Sequence, residues 1–332
     1  MSYNQKIDEE IRTYEKVANV HDLPSIYSYW SNKHLRPKFE TLGFGNPNAF
    51  YLHYIHRVAL EKPGRPCRIL SVGAGNCDTE VHLAEALLQD GLRDFAFECL
   101  DLNSQMLARG QSLVREYNLS SHFGFIQADI NDWSVEKSYD IIIANQSLHH
   151  FVELETLFEK TYLALADTGF FLTNDMIGRN GHMRWPEALE LVQACWSLLD
   201  EKYKWNHQLQ RLELVYDNWD CSASGFEGIR AQDILPLLLN RFHFESFVGF
   251  ANLINIFIDR GFGHNFDAGD VKDCLFIDFV SGLDDYFIEA GKITPTQMLA
   301  AMTKTPGGPT RTYKHLTPQF CVRNPVGTVK LE

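Results

Sequence analysis

Three histidines and a set of polar groups that close apolar runs carry the chemistry legible in this sequence. His149 and His150 stand side by side after the run Tyr139–Ala144, and His182 ends the polar segment Ile177-Gly178-Arg179-Asn180-Gly181-His182. Imidazole ionises near neutrality, so each can take a proton at pH 7. Upstream, Asp101 and Asp129 each close an apolar run, and Gly73-Ala74-Gly75 closes another. A carboxylate in the first place can accept both hydroxyls of a ribose. An acid in the second can accept from an adenine amino group while Ile130 packs on the ring. The two glycines let backbone approach a ligand, and the helix after them presents free N–H groups to it. One acid after a strand is ordinarily a turn or a helix cap. Two of them, with a glycine turn before and Asn145 after, read as a ligand site.

Other segments supply candidates for holding a second molecule. Arg179 can pair bidentately with an acidic group. Glu227 and Arg230 lie in the segment 224–230 at a spacing that lets them pair with each other, and His264 lies in the glycine-containing segment 262–267. Tyr27, Tyr29 and Trp30 are aromatics ahead of the strand-rich region, able to close over a ligand or to pack in the core.

The elements that must position these groups follow from periodicity. Residues 67–72, 94–100, 123–128, 139–144 and 169–173 are short apolar runs ending in turn residues, and they read as buried strands. Between them, stripes such as Leu154, Leu157, Phe158, Thr161, Tyr162 and Leu165 read as amphipathic helices. Such alternation means right-handed βαβ units and a parallel sheet, with ligands bound beyond the carboxyl ends of the strands. Three regions result: 1–64, a helical lid; 65–175, a nucleotide-binding α/β core; and 176–332, the rest of the sheet. The last mixes helices, polar loops and a few strands.

Composition narrows the partners. The 332 residues carry a formal net charge of −13, which argues against nucleic-acid backbones and against polybasic attachment to membranes. No apolar run is long enough to span a bilayer, and the N-terminus lacks a signal-peptide core. Seven scattered cysteines without C-x-x-C spacing suit a reduced compartment, so a cytoplasmic location is expected. Oligomeric state is not legible.

The series VGAGNCDTEVHLAEAL, ECLDLNSQML, FIQADINDW and YDIIIANQSLHHF resembles the motifs of class I S-adenosylmethionine-dependent methyltransferases over residues 66–175. The resemblance implies a doubly wound, Rossmann-like sheet of seven strands, one of them antiparallel. It extends more loosely to a fifth helix near 234–239, a sixth strand near 242–250 and a seventh, antiparallel strand at Gln319–Arg323, which leaves two insertions, 176–230 and 251–305, expected to cap the substrate. S-adenosylmethionine would be the cofactor and S-adenosylhomocysteine the product. It places Gly73, Ala74 and Gly75 at the methionine part of the cofactor, Asp101 on the ribose, and Leu102 against the adenine. Asp129 and Ile130 come at the adenine edge, and Asn145 and Gln146 under the sulfonium. Two positions depart from the pattern: Ser71 replaces the acid two residues before the first glycine, and Cys77 replaces the third glycine. Asp78 or an N-terminal residue is expected to compensate.

The expected reaction is metal-independent methyl transfer to a hydroxyl of a small metabolite, such as a natural product or a sugar, with His150, His182 or His149 as base. Tyr29, Trp30, Arg179, Glu227, Arg230 and His264 are the expected substrate contacts. His149, His150, His182 and Asp175 could cluster, but they lack a recognised ligand spacing, and Asn145 replaces the acid of the catechol-type metal enzymes, so no metal is expected. Asn145-Gln146-Ser147-Leu148 also differs from the motif of nucleic-acid and protein amide methylating relatives. Alternatives are N-methylation of a small molecule, a catalytically idle cofactor-binding module, and an NAD(P)-dependent oxidoreductase. The last is disfavoured because Asp78 stands at the third glycine of a dinucleotide fingerprint.

Overall fold

A computed structural model of the chain describes residues 23–62, 64–223 and 225–323. Residues 1–22 of the expected lid, Ser224 and residues 324–332 lie outside the described residues. In chain order the main elements are α1 (Pro47–Glu61), β1 (Cys67–Val72), α2 (Asp78–Gln89), β2 (Phe95–Asp101), α3 (Ser104–Glu116), β3 (Phe123–Gln127), β4 (Tyr139–Asn145), α4 (Leu154–Ala164), β5 (Leu165–Met176) and α5 (Pro186–Ser197). They continue with the hairpin β6 (Trp205–Asn206) and β7 (Arg211–Leu212), then α6 (Ala231–Arg241), β8 (His243–Phe250), α7 (Val271–Glu289), β9 (Gln297–Thr303) and β10 (Arg311–Thr312).

The strands form one eight-stranded sheet in the order β10-β8-β9-β5-β4-β1-β2-β3, apart from the β6–β7 hairpin. All neighbours are parallel except β9, which runs antiparallel to both β5 and β8. The doubly wound architecture is as expected, with one more strand: the two-residue β10 extends the edge beside β8. β4 is buried along its whole length up to Asn145, as a strand covered on both faces must be. Strand order reverses between β1 and β4, which pair at Ile69–Ile141, Leu70–Ile142 and Ser71–Ile143. The crevice beyond their carboxyl ends is therefore the ligand position for this topology.

The antiparallel strand is not where the sequence placed it. Gln319–Arg323 lies in a turn that buries Cys321, and the strand is Gln297–Thr303, inside the segment assigned to the second insertion. Its run Met298-Leu299-Ala300-Ala301-Met302 is built from good helix formers. All five side chains are nonetheless buried between β5 and β8, and that pairing overrides propensity.

The described part of the N-terminal region is joined to the core. Helical segments Ser25–Trp30 and Arg36–Glu40 flank a π-helical stretch, Ser31–Leu35, and bury Ile26, Trp30, Leu35 and Phe39. α1, entered through Asn46 as cap and Pro47 at its first position, lies against β1, β4 and β5.

Candidate active site

β1 runs into Gly73-Ala74-Gly75, where both glycines have positive φ. Gly73 is required twice over: its φ is +69°, and a Cβ there would meet the Cβ of Ser147 at 2.6 Å. Ser147 follows β4 and donates its hydroxyl to the Val72 carbonyl at 2.8 Å, so the ends of the two switch-point strands are bolted together. Cys77, at the position of the family's third glycine, takes a left-handed backbone with φ +60°. Gly110 on α3 makes room for it, since a Cβ there would come within 2.8 Å of the Cys77 sulfur. The bend is kept without the glycine, at a cost of about 1 kcal/mol or more in backbone strain.

Asp101 ends β2 and anchors both loops around it. One carboxylate oxygen accepts from Gly75 N at 2.8 Å and the other from Asn103 N at 2.7 Å. Asn103 in turn caps α3 through Gln105 N and Met106 N. Asp129 accepts from Asn131 N at 2.8 Å. Asn145, at the end of β4, accepts from the Tyr51 hydroxyl at 3.0 Å and donates to Thr79 Oγ1 at 3.2 Å. Burial, followed by the charges of Asp175 and Glu80, holds the Tyr51 phenol well above its usual range, so it remains a donor. Gln146 has a left-handed φ of +52° and lies exposed at the rim.

These groups line one cavity of about 1550 Å³, roomier than an ordinary single-ligand pocket. Every residue expected to bind the cofactor faces it: Gly73, Ala74, Gly75, Asp78, Asp101, Leu102, Asp129, Ile130, Asn145 and Gln146. Beside Ser71, α2 also places an acid, Glu80, and Asp78 at the start of that helix lines the same cavity. Ser71 donates to Glu80 Oε1 at 2.6 Å, and Glu80 lines the cavity while nearly fully buried. Burial pushes its carboxyl up to about 7, against the pull of the Ser71 hydroxyl. The sequence reading missed Glu80, Tyr51 and the full role of Asp175.

Beyond Asn145, the three candidate bases meet at one carboxylate. His182 Nε2 lies 2.8 Å from Glu227 Oε1, His149 Nε2 lies 3.4 Å from the same oxygen, and His150 Nε2 lies 3.6 Å from Oε2. The other nitrogen of His149, Nδ1, is 2.6 Å from Asp175 Oδ1. Asp175, fully buried on β5, also accepts from Ser147 N and Leu148 N through Oδ2. Burial alone would lower the His149 pKa, but Asp175 and then Glu227 outweigh it and raise it to about 10. At His182 burial prevails and the pKa falls below the usual value. Glu227 sits well below the carboxylate range: burial opposes ionisation, and the three histidines overcome it.

The expected substrate contacts divide. Glu227 and His264 line the cavity, whereas Tyr29, Trp30, Arg179 and Arg230 do not. Trp30 is core, and the Tyr29 hydroxyl bonds Asp278. Arg179 donates to the Arg184 carbonyl and stacks over Trp185. Arg230 does not pair with Glu227; its guanidinium holds Glu155 on α4 and Asp233 on α6. Tyr27 does reach the cavity wall.

A family model described as a methyltransferase domain matches residues 69–169, from the middle of β1 to the middle of β5. That span holds the glycine turn, Asp101, Asp129 and Asn145 on the sheet described above. Residues 69–169 form a methyltransferase domain. No curated protein matches the sequence. Among solved structures, the chain is similar to an O-methyltransferase from the trans-AT polyketide synthase of Brevibacillus brevis, with 14% identity, 92% of this chain and 88% of that chain covered, and a TM-score of 0.44. It is also similar to geranyl diphosphate C-methyltransferase from Streptomyces coelicolor, with 12% identity, coverage of 90% and 98%, and a TM-score of 0.46. Resemblances this remote fix neither substrate nor mechanism. Among the described residues no helix is long and apolar enough to cross a membrane.

Proposed function

We propose that this chain transfers the methyl group of S-adenosylmethionine to a hydroxyl of a small metabolite, with the acceptor's proton removed at the cluster of His149, His182, His150 and Glu227. The observation that carries the reading is adjacency: Ser147, packed on Gly73 of the cofactor turn, is two residues from His149 in the same cavity. The cofactor fits the residues present, because the turn closes only around glycine at 73 and Asp101 ends β2 beside it. When bound, it supplies an electrophilic methyl group on a sulfonium.

The chain's own residues align and dry the site. Tyr51 and Thr79 fix the Asn145 amide at the cavity floor. Phe226, Tyr216 and Trp219 from the first insertion and Phe262 from the second wall off the acceptor side. A hydroxyl held there faces His182, whose lowered pKa leaves it a neutral base able to take the proton, a step a neutral amine would not need. The acceptor is a small molecule on this reading, bound within the cavity.

The test begins with calorimetry for S-adenosylmethionine, followed by detection of S-adenosylhomocysteine with panels of alcohols and phenols and their amine counterparts. Turnover is expected with hydroxyl acceptors. His182→Gln should lower the single-turnover rate by about 10²–10⁴-fold with cofactor affinity unchanged. Turnover with amines alone would overturn the hydroxyl assignment.

A further inference from the structure

We propose that His149, His182 and Glu227 form a binding site for a divalent transition-metal ion, facing the acceptor side of the cavity. One donor atom from each lies within 4.8 Å of the other two. Ordinary metal–nitrogen and metal–oxygen bonds of about 2.0–2.2 Å separate neighbouring donors by roughly 3–3.5 Å. The distances from Glu227 Oε1 to the two imidazole Nε2 atoms, 2.8 and 3.4 Å, lie just below that range and within it. Two imidazoles and one carboxylate, with remaining positions open to a cavity, are the donor set that suits zinc, iron or manganese. Magnesium and calcium prefer shells made of oxygen.

The surroundings are those of a built site. A histidine that binds metal through one nitrogen characteristically gives the other to a carboxylate, which fixes the ring. His149 has that arrangement with Asp175, and Asp175 is itself held by two backbone N–H groups. His182 is presented by a left-handed backbone, with φ +65° at Gly181 and +55° at His182, and the Arg184 guanidinium holds its carbonyl at 2.7 Å. Glu227 offers both oxygens to the cluster, one toward His149 and His182 and the other toward His150. A carboxylate present only to neutralise a buried histidinium would need one contact. With the ion bound, His149 and His182 would be ligands and not bases: the acceptor's oxygen would fill an open position on the ion and its proton would pass to His150, outside the ligand set. The role assigned to the metal therefore rests on the cavity being the methyl-acceptor site proposed above. The binding itself can be measured without turnover.

The full chain is stripped with a chelator and titrated separately with Zn²⁺, Mn²⁺ and Mg²⁺. Bound metal is counted by elemental analysis after desalting, and stability is followed by thermal melting. One equivalent of Zn²⁺ retained, with a raised Tm, is expected; Mg²⁺ should leave the Tm unchanged. His182→Gln and Glu227→Gln should each weaken Zn²⁺ binding at least tenfold, with circular dichroism confirming the fold. If one variant fails to fold, the other decides. Wild-type protein that retains no Zn²⁺, folded variants that bind it as the wild type does, or an equal response to Mg²⁺ would overturn the site. Calorimetry of S-adenosylmethionine on the same samples separates the two readings. Cofactor binding without metal binding removes this inference alone, and metal binding without cofactor binding removes the methyl-transfer reading alone.

Discussion

Replacing Glu80 by Gln should make the protein more stable at neutral and alkaline pH, less so near pH 5, and leave it unchanged below about pH 4. Glu80 is 3% exposed, and its principal side-chain bond is to the Ser71 hydroxyl at 2.6 Å. Burial raises its carboxyl from 4.5 to about 7, with Asp78 and Asp101 adding repulsion. In the unfolded chain a glutamate titrates near 4.3. Between that value and 7 the folded protein therefore retains a proton that the unfolded chain has released, and stability falls as pH rises through the window. At 1.36 kcal/mol per pKa unit, the full penalty above pH 7 is about 3.5–4 kcal/mol. Glutamine carries no charge to bury, and its amide oxygen can still accept from Ser71. Urea unfolding followed by tryptophan fluorescence at pH 5, 6, 7 and 8 gives the comparison. The difference between variant and wild type should grow from about 1 kcal/mol at pH 5 toward about 3.5 kcal/mol at pH 8. Parallel profiles across the range would refute the reasoning. A charge retained at that cost in a cofactor cavity implies a use for it, so S-adenosylmethionine affinity should rise with pH through 7 in the wild type and stay flat in the variant.

Asp101→Ala should reduce S-adenosylmethionine affinity by at least about 100-fold, since lost charge-assisted bonds contribute about 1.5–3 kcal/mol each; calorimetry reads it. The same variant should also melt at a lower temperature, because Gly75 N and Asn103 N lose their acceptor. Gly73→Ala should abolish cofactor binding and destabilise the fold, because the new methyl group collides with Ser147 at a left-handed backbone position; calorimetry and thermal melting test both. Deleting residues 1–40 should abolish cooperative unfolding as well as activity, because Ile26, Trp30, Leu35 and Phe39 are core side chains. A truncated protein that still melted cooperatively near the wild-type temperature would show that this segment is only a lid.

What was legible in the sequence follows from range. β1 to β5 are runs of five to twelve residues whose burial pattern is local, and the groups at their ends need only the strand to place them, so Gly73, Asp101, Asp129 and Asn145 could be read from position alone. β9 could not. Its Met, Leu and Ala residues favour a helix, and its place between β5 and β8 is set by partners more than a hundred and about fifty residues upstream. Glu80 was hidden for a related reason: an acid in the first turn of an amphipathic helix ordinarily serves the helix dipole, and nothing local says that it points inward at Ser71. Glu227 and Arg230, three apart, suggested a pair, yet Arg230 is drawn to Glu155 across the α4–α6 contact. That leaves Glu227 directed at three histidines contributed by the ends of β4 and β5. The cofactor half of the cavity belongs to single strand ends. The half around Glu227 and the three histidines exists only where an insertion folds back over two of them, so its chemistry is a property of the tertiary structure.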